Sequence, residues 1–260
     1  MLSVKNIIKK YKSQNFSILN KKYFTAVDNV SLEVPENTIV GIVGQSGSGK
    51  TTLAEIIGGL QNPTSGEIFY NDIEIKKLNK EQYKEYRKNV QFIFQSPVES
   101  MNPYYKVSKI LEEPMKCVLE DYNQKESIEK IEKMIEYIGL DKSYLYKYPK
   151  ELSGGEAQRI AIARALLLNP KYIICDECVS ALDVSVQAQI LNLLKNLQKE
   201  FSISYLFISH DLATVKYMSD KVIVMKEGKI VEKGNTEEVF LDPQSDYTKM
   251  ILKYSRLKEA

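Results

Sequence analysis

A short apolar run, Thr38-Ile39-Val40-Gly41-Ile42-Val43, breaks into Gly44-Gln45-Ser46-Gly47-Ser48-Gly49-Lys50-Thr51, and a helical pattern continues from Lys50 to Leu60. Few folds accommodate this order. The run has the character of a strand buried on both faces, as strands of a parallel sheet are. The glycines at its end let backbone N–H groups converge on one point, a geometry that Cβ atoms obstruct. The helix start adds partial positive charge at the same point. The order predicts an α/β fold with a phosphate cradle, the P-loop, built from Gly44, Ser46, Gly47, Ser48, Gly49, Lys50, Thr51 and Thr52. Lys50 is expected to reach the β- and γ-phosphates of a nucleotide, and Thr51 to offer its hydroxyl to Mg2+.

The rest of the chain alternates in the same way. Residues 1–12 read as a strand, 13–23 as a loop, and Ala26 to Val34 as a strand closed by Pro35-Glu36-Asn37. Gly66 to Ile75 predicts a strand pair and Val90 to Phe94 a further strand. Residues 104–148 are rich in Lys, Glu and Tyr with helical spacing, as at Ile128, Ile131, Ile135 and Ile138, and predict a helical insertion. A helix over about 155–168 stops at Asn169-Pro170. Strands at Tyr172–Cys175 and Ser204–Ser209 enclose a helix through Val186, Ile190, Leu193, Leu194 and Leu197; a helix to about Met218 and a hairpin through Glu227-Gly228 follow. Strands alternating with helices predict a parallel sheet covered on both faces.

Composition excludes several classes. A net charge of +2 over 260 residues offers no concentrated basic face, so no nucleic-acid partner is expected. Lys9, Lys10, Lys12, Lys21 and Lys22 read as a solvated loop. The opening Met1-Leu2-Ser3-Val4-Lys5 turns polar at once, so no signal peptide is expected. No apolar run approaches the roughly 18 residues of a membrane span, so work at a membrane would require a partner. The three cysteines, Cys117, Cys175 and Cys178, fit a reducing compartment. Cys175-Asp176-Glu177-Cys178 has the spacing of a redox or zinc pair, but a zinc site wants further ligands and the chain has one histidine, His210. Core packing is the preferred reading of both thiols.

Two further segments carry chemistry. Tyr172-Ile173-Ile174-Cys175-Asp176-Glu177 delivers adjacent carboxylates to the carboxyl edge of a parallel sheet, where ligands bind. Asp176 is expected to hold Mg2+, and Glu177 to polarise an attacking water as general base. Leu152-Ser153-Gly154-Gly155-Glu156 opens a helix. Ser153 and Glu156 have capping-box spacing, yet a cap alone does not account for two adjacent glycines. Ser153 with the Gly154 and Gly155 amides reads as a second anion cradle. Since the P-loop already cradles phosphates, the second implies a γ-phosphate presented by another chain.

In this order the motifs resemble the ATPase subunit of an ATP-binding cassette (ABC) transporter, over about Val4 to Leu252. The resemblance implies a RecA-like P-loop core with an antiparallel β part, residues 1–95 and 165–260, and an inserted helical lobe, 96–164. It implies ATP and Mg2+ as ligands. It assigns Gln95 to the loop that completes the Mg2+ shell and senses the membrane subunit, with Thr51 and Asp176 as the other metal contacts. Asp183 matches the loop linking two sites across a dimer, and His210 the histidine that contacts the γ-phosphate. Adenine stacking falls to Tyr11, with Tyr23 and Phe24 as rivals.

Gln95 to Pro103 is similar to a loop of oligopeptide, dipeptide and nickel importer ATPases, as are Ala181 to Gln189 and the tail Asp242-Pro243-Gln244-Ser245-Asp246-Tyr247-Thr248. The resemblance therefore implies an ATPase powering import of peptides or nickel and other metal chelates. Its partners would be transmembrane permease subunits, a second ATPase subunit and, indirectly, an extracytoplasmic solute-binding protein, at the cytoplasmic face of the cell membrane. Many longer relatives carry cysteines beyond this tail. None follows Cys178 here, so no iron–sulfur site is expected. The alternatives are a soluble ABC ATPase of DNA repair or translation, or an export-type ATPase.

Overall fold

The structure is a computed structural model that describes residues 1–12 and 23–254. The loop expected over 13–23 lies outside the described residues except for Tyr23. In chain order the elements are β1 (Leu2–Lys12), β2 (Tyr23–Val34), β3 (Ile39–Val43), α1 (Lys50–Ile57), β4 (Ser65–Tyr70), β5 (Ile73–Glu74), α2 (Lys80–Asn89), β6 (Val90–Ile93), α3 (Val107–Val118) and α4 (Gln124–Tyr137). They continue with α5 (Gly154–Leu166), β7 (Tyr172–Asp176), α6 (Val184–Phe201), β8 (Ser204–Ile208), α7 (Leu212–Met218), β9 (Lys221–Lys226), β10 (Lys229–Asn235), α8 (Thr236–Leu241) and α9 (Asp246–Tyr254). Two compact units result: residues 1–79 with the chain from Ser204 onward, and Lys80–Ile203.

The first unit holds an antiparallel sheet in the order β2-β1-β4-β5. Leu2, Val4 and Ile7 bury one face of β1. Alternation would place Ile7 on the opposite face from Val4, but Asn6 takes a left-handed conformation (φ 51) and the register shifts between Val4 and Ile7, returning Ile7 to the core. Lys9, Lys10 and Lys12 belong to β1 rather than to a solvated loop. In the same unit β3 runs parallel to β8 and β9 on either side, and every residue of β3 and β8 is buried. That burial is why these strands, Ser204 apart, are apolar instead of alternating. The hairpin from β9 to β10 turns at Glu227 (φ 50) and Gly228 (φ 80), the two left-handed residues of a tight hairpin. Helix α1 ends at Ile57 instead of Leu60, because Gly59 (φ 67) supplies a left-handed stop.

In the second unit β6 and β7 pair in parallel, with Ile93 opposite Cys175. Burying Ile173 and Ile174 completely stabilises this pair by about 1.5–3 kcal/mol per side chain. Helix α5 is buried nearly all round, with Ala157, Ile160, Ala161, Ile162, Ala163, Ala165 and Leu166 in the core. The expected helical insertion is present as α3 and α4, where Ile131 and Ile135 face inward. Three helices were not expected from the sequence: α2, α8 and α9. Among the described residues no helix is long and apolar enough to cross a membrane.

Candidate functional site

In the first unit the P-loop leaves the carboxyl end of β3 and feeds α1. The Lys50 ammonium, 5% exposed, donates to the carbonyl oxygens of Gly44 (2.8 Å) and Gln45 (3.0 Å). Gly49 caps the helix at φ 97, and a Cβ there would stand 2.2 Å from the Ala26 carbonyl oxygen, so only glycine fits. The loop is gripped by the strand turn beneath it, since the Gly228 N–H donates to the Ser48 carbonyl (3.0 Å). Gln45, Ser46, Gly47 and Thr51 remain exposed. His210 lies at the same sheet edge. Ile208 pairs with Ile42, so His210 stands two residues beyond β8 as Gly44 stands just beyond β3. His210 is exposed and followed by Asp211, which caps α7 through the Ala213 N–H (3.0 Å).

The three aromatic candidates occupy one end of the β1–β2 ladder, with Tyr11 opposite Phe24 and Lys12 opposite Tyr23. Tyr11 donates to Gln61 Oε1 (2.9 Å) and carries Lys9 Nζ 5.3 Å from its ring centre. All three rings are exposed, so each presents a face for stacking. A cavity of about 590 Å3 in this unit lies at the opposite, amino-terminal ends of the strands, against Val40, Lys221 and Val222. The P-loop does not line that hollow.

In the second unit Gln95 lies two residues beyond β6 and Glu177 immediately follows β7. Gln95 Nε2 donates to Glu177 Oε2 (3.3 Å) and Ser180 Oγ (3.5 Å). Glu177 adopts φ 46, a left-handed conformation that non-glycine residues take at a cost of about 1–3 kcal/mol. Among the described residues most other non-glycine cases are Asn or Asp, whose side chains tolerate it. Asp176 is buried at the end of β7. The Cys178 thiol hydrogen-bonded to Cys175, together with burial, pushes the Cys175 thiol well above its ordinary range, so both cysteines pack as the sequence reading preferred.

Ser153 caps α5 in a full capping box: its Oγ accepts the Glu156 N–H (3.4 Å), and Glu156 Oε2 accepts the Ser153 N–H (2.7 Å). Gly154 and Gly155 abut the start of α6. A Cβ on Gly155 would stand 2.5 Å from Val186 Cγ1, and one on Gly154 would stand 3.2 Å from Leu182 Cδ2. Gly155→Ala is therefore expected to cost about 1–3 kcal/mol of stability, measurable as a lower midpoint in denaturant. Asp183 caps α6, accepting from the Val186 N–H (3.0 Å) and the Ser185 hydroxyl (2.7 Å), bonds that hold its carboxyl below the ordinary aspartate range.

Two neighbours of this segment escaped the sequence reading. Arg164, in the last turn of α5, donates to both the carbonyl and the hydroxyl of Ser100 (2.9 Å each), tying the loop after Gln95 to that helix. Tyr144 donates its hydroxyl to Glu156 Oε1. The Tyr144 hydroxyl and the Ser153 N–H hold the Glu156 carboxyl below the usual glutamate range. The fold therefore stabilises the ionised form. That contribution is complete above the ordinary glutamate value and is lost as pH falls through the lowered one. Tyr144→Phe is expected to move the Glu156 carboxyl resonance's titration upward in an NMR pH series, toward an unperturbed glutamate. No pattern of spacing announces either contact, because each joins residues from separate segments.

The P-loop of the first unit, and the acidic strand end and capped glycine helix start of the second, are each features of nucleoside triphosphatases. The ABC transporter family model matches residues 27–180. Among solved structures the chain is similar to the dimeric ATP-binding cassette MJ0796 in a post-hydrolysis state bound to ADP and Pi, with a TM-score of 0.80 and 29% identity over 91% of this chain and 99% of that one. It is also similar to cbiO1 of Clostridium perfringens, part of the ABC transporter complex cbiONQ, with a TM-score of 0.76 and 26% identity over 93% and 90%. The chain is 47% identical to the oligopeptide transport ATP-binding protein OppF of Haemophilus influenzae, over 87% of this chain and 68% of that protein. It is 44% identical to the dipeptide transport ATP-binding protein DppF of the same organism, over 87% and 69%. With OppF of Streptococcus mutans it shares 43% over 97% and 80%. The chain belongs to the ABC transporter family, as an ATP-binding and ATP-hydrolysing subunit.

Proposed function

We propose that this chain drives a membrane importer of peptides and that each of its ATP sites is completed by a second ATPase chain. What supports the reading is that two helices, α1 and α5, start at glycines with exposed residues beside them. One start is the P-loop; the other is Ser153–Gly155, where Ser153 and Gly154 are exposed and the helix is already capped by its own side chains. One nucleotide needs one such start from its own chain. The dimeric assembly named for the MJ0796 cassette supports pairing.

On this reading Gly44, Ser46, Gly47, Ser48, Gly49, Lys50, Thr51 and Thr52 hold the phosphates, and Tyr11 stacks on adenine. Ser153, Gly154 and Gly155 of the second chain meet the γ-phosphate, and Asp183 links the paired sites. Residues 96–164 form the helical lobe, and 1–95 with 165–260 the catalytic core. Thr51, Gln95 and Asp176 are hard oxygen donors of the kind Mg2+ takes, and would hold it. Mg2+ when bound neutralises charge on the phosphates. Glu177 accepts a proton from the attacking water. Gln95, hydrogen-bonded to that carboxylate, orients it and ties its state to the permease-facing loop. His210 donates to the γ-phosphate as charge builds.

The names of the oligopeptide and dipeptide relatives support peptides as cargo and permease subunits as partners. None of these names supports the nickel alternative. The chain then works at the cytoplasmic face of the membrane, beneath an extracytoplasmic solute-binding protein. The partner ATPase is a different, related chain. Purifying the chain with its bound subunits in lipid, then adding receptor loaded with short peptides, tests this. Peptide-stimulated ATP hydrolysis is expected. Stimulation by nickel chelates and not by peptides would reassign the cargo, and a chain that co-purifies with no membrane protein would remove the transport role.

A further inference from the structure

The tail Asp242–Thr248 has no part in the mechanism above, yet it ends on the P-loop. The Tyr247 hydroxyl accepts the backbone N–H of Gln45 at 3.2 Å. In a trans peptide the N–H of one residue and the carbonyl of the residue before it point in opposite directions from one plane. The carbonyl sharing that plane is Gly44 O, and it accepts Lys50 Nζ at 2.8 Å. A single P-loop peptide plane is thus pinned on one side by a phenol from the tail and on the other by the ammonium expected to meet phosphate.

The tyrosine is itself held from several directions. Tyr247 is 8% exposed, and Lys226 Nζ lies 5.3 Å from its ring centre. The turn before it is fixed by one carboxylate: Glu232 of β10 accepts the N–H of Gln244 at 2.7 Å and that of Ser245 at 3.0 Å. A side chain placed this firmly orients a backbone plane instead of following it.

We infer that Tyr247 is a positioning residue for nucleotide binding: its hydroxyl fixes the Gly44–Gln45 peptide and, through it, the resting place of the Lys50 ammonium. The C-terminal tail thereby sets ATP affinity without touching ATP. The inference rests on the P-loop being the ATP cradle.

Tyr247→Phe removes only the hydroxyl and keeps the buried ring. Loss of one such bond is worth about a two- to tenfold change in an equilibrium constant. The full-length variant is expected to show ATP Kd, by titration with the fluorescent analogue TNP-ATP and ATP competition, and KM raised by that factor. Its kcat and thermal midpoint should stay near wild type, and amide hydrogen exchange should quicken at Gln45 in the nucleotide-free protein. Unchanged Kd and unchanged exchange at Gln45 would overturn the inference. So would a fall in kcat at constant KM, which would place Tyr247 in the chemical step. A wild-type chain that fails to bind TNP-ATP would instead count against the P-loop assignment, leaving the two claims separable.

Discussion

Glu177→Gln is expected to leave ATP binding intact while cutting turnover by about 10²–10⁴-fold, the usual loss for removal of a general base. The substitution keeps shape and one hydrogen-bonding oxygen, so the contact from Gln95 survives while the proton acceptor is gone. The strained φ of 46 at this residue argues in the same direction. A backbone conformation that costs free energy at the end of a buried strand is retained where it aims a side chain, and here it aims the only carboxylate in contact with Gln95 among the described hydrogen bonds. Phosphate release from the purified transporter, with nucleotide affinity measured in parallel, separates the two effects. Turnover at the wild-type rate would remove Glu177 from the chemistry.

Ser153→Arg acts on the other cradle. Ser153 is exposed and its Oγ serves the helix start, so a long cation there removes a cap worth about 1 kcal/mol and fills the space above Gly154. The P-loop of the same chain is untouched, so ATP affinity of the isolated subunit should remain near wild type. Turnover of the assembled transporter should fall by about 10²-fold or more, since a whole donor set for the transition state is blocked. Ser153→Ala gives the comparison: the cap is lost, but the Gly154 and Gly155 amides stay open, so turnover should fall far less. If Ser153→Arg and Ser153→Ala behave alike, the segment is a helix cap and nothing more.

The sequence made some of this legible and hid the rest for physical reasons. β3, β7 and β8 were readable because burial on both faces writes continuous apolar runs, and the P-loop because its glycines are backbone requirements. Helix α2 was not. Lys80-Glu81-Gln82-Tyr83-Lys84-Glu85-Tyr86-Arg87-Lys88-Asn89 buries only Tyr86 and Asn89, so no apolar stripe marks it. Helices α8 and α9 are short, and α9 is recognisable in retrospect by what Tyr247 touches. The strand ends and helix starts that carry the candidate residues could be read from sequence. The contacts that orient them could not, because Gln95 with Glu177, Arg164 with Ser100 and Tyr247 with Gln45 each join segments far apart in the chain, and Tyr144 with Glu156 spans separate local elements. The aromatic candidates show the remaining limit: β1 and β2 place Tyr11, Tyr23 and Phe24 side by side, and every one keeps an accessible ring.

The central claim is that a catalytic site needs two chains. Light scattering on the Glu177→Gln protein, purified with its partner ATPase subunit, reads this directly, because trapped ATP should hold the closed pair together. The mass is expected to double from monomer to dimer on adding Mg-ATP and to remain monomeric when Ser153→Arg is introduced into this chain together with an arginine at the matching position of its partner. A monomer mass with ATP bound, or an ATP-induced dimer that survives Ser153→Arg, would contradict it.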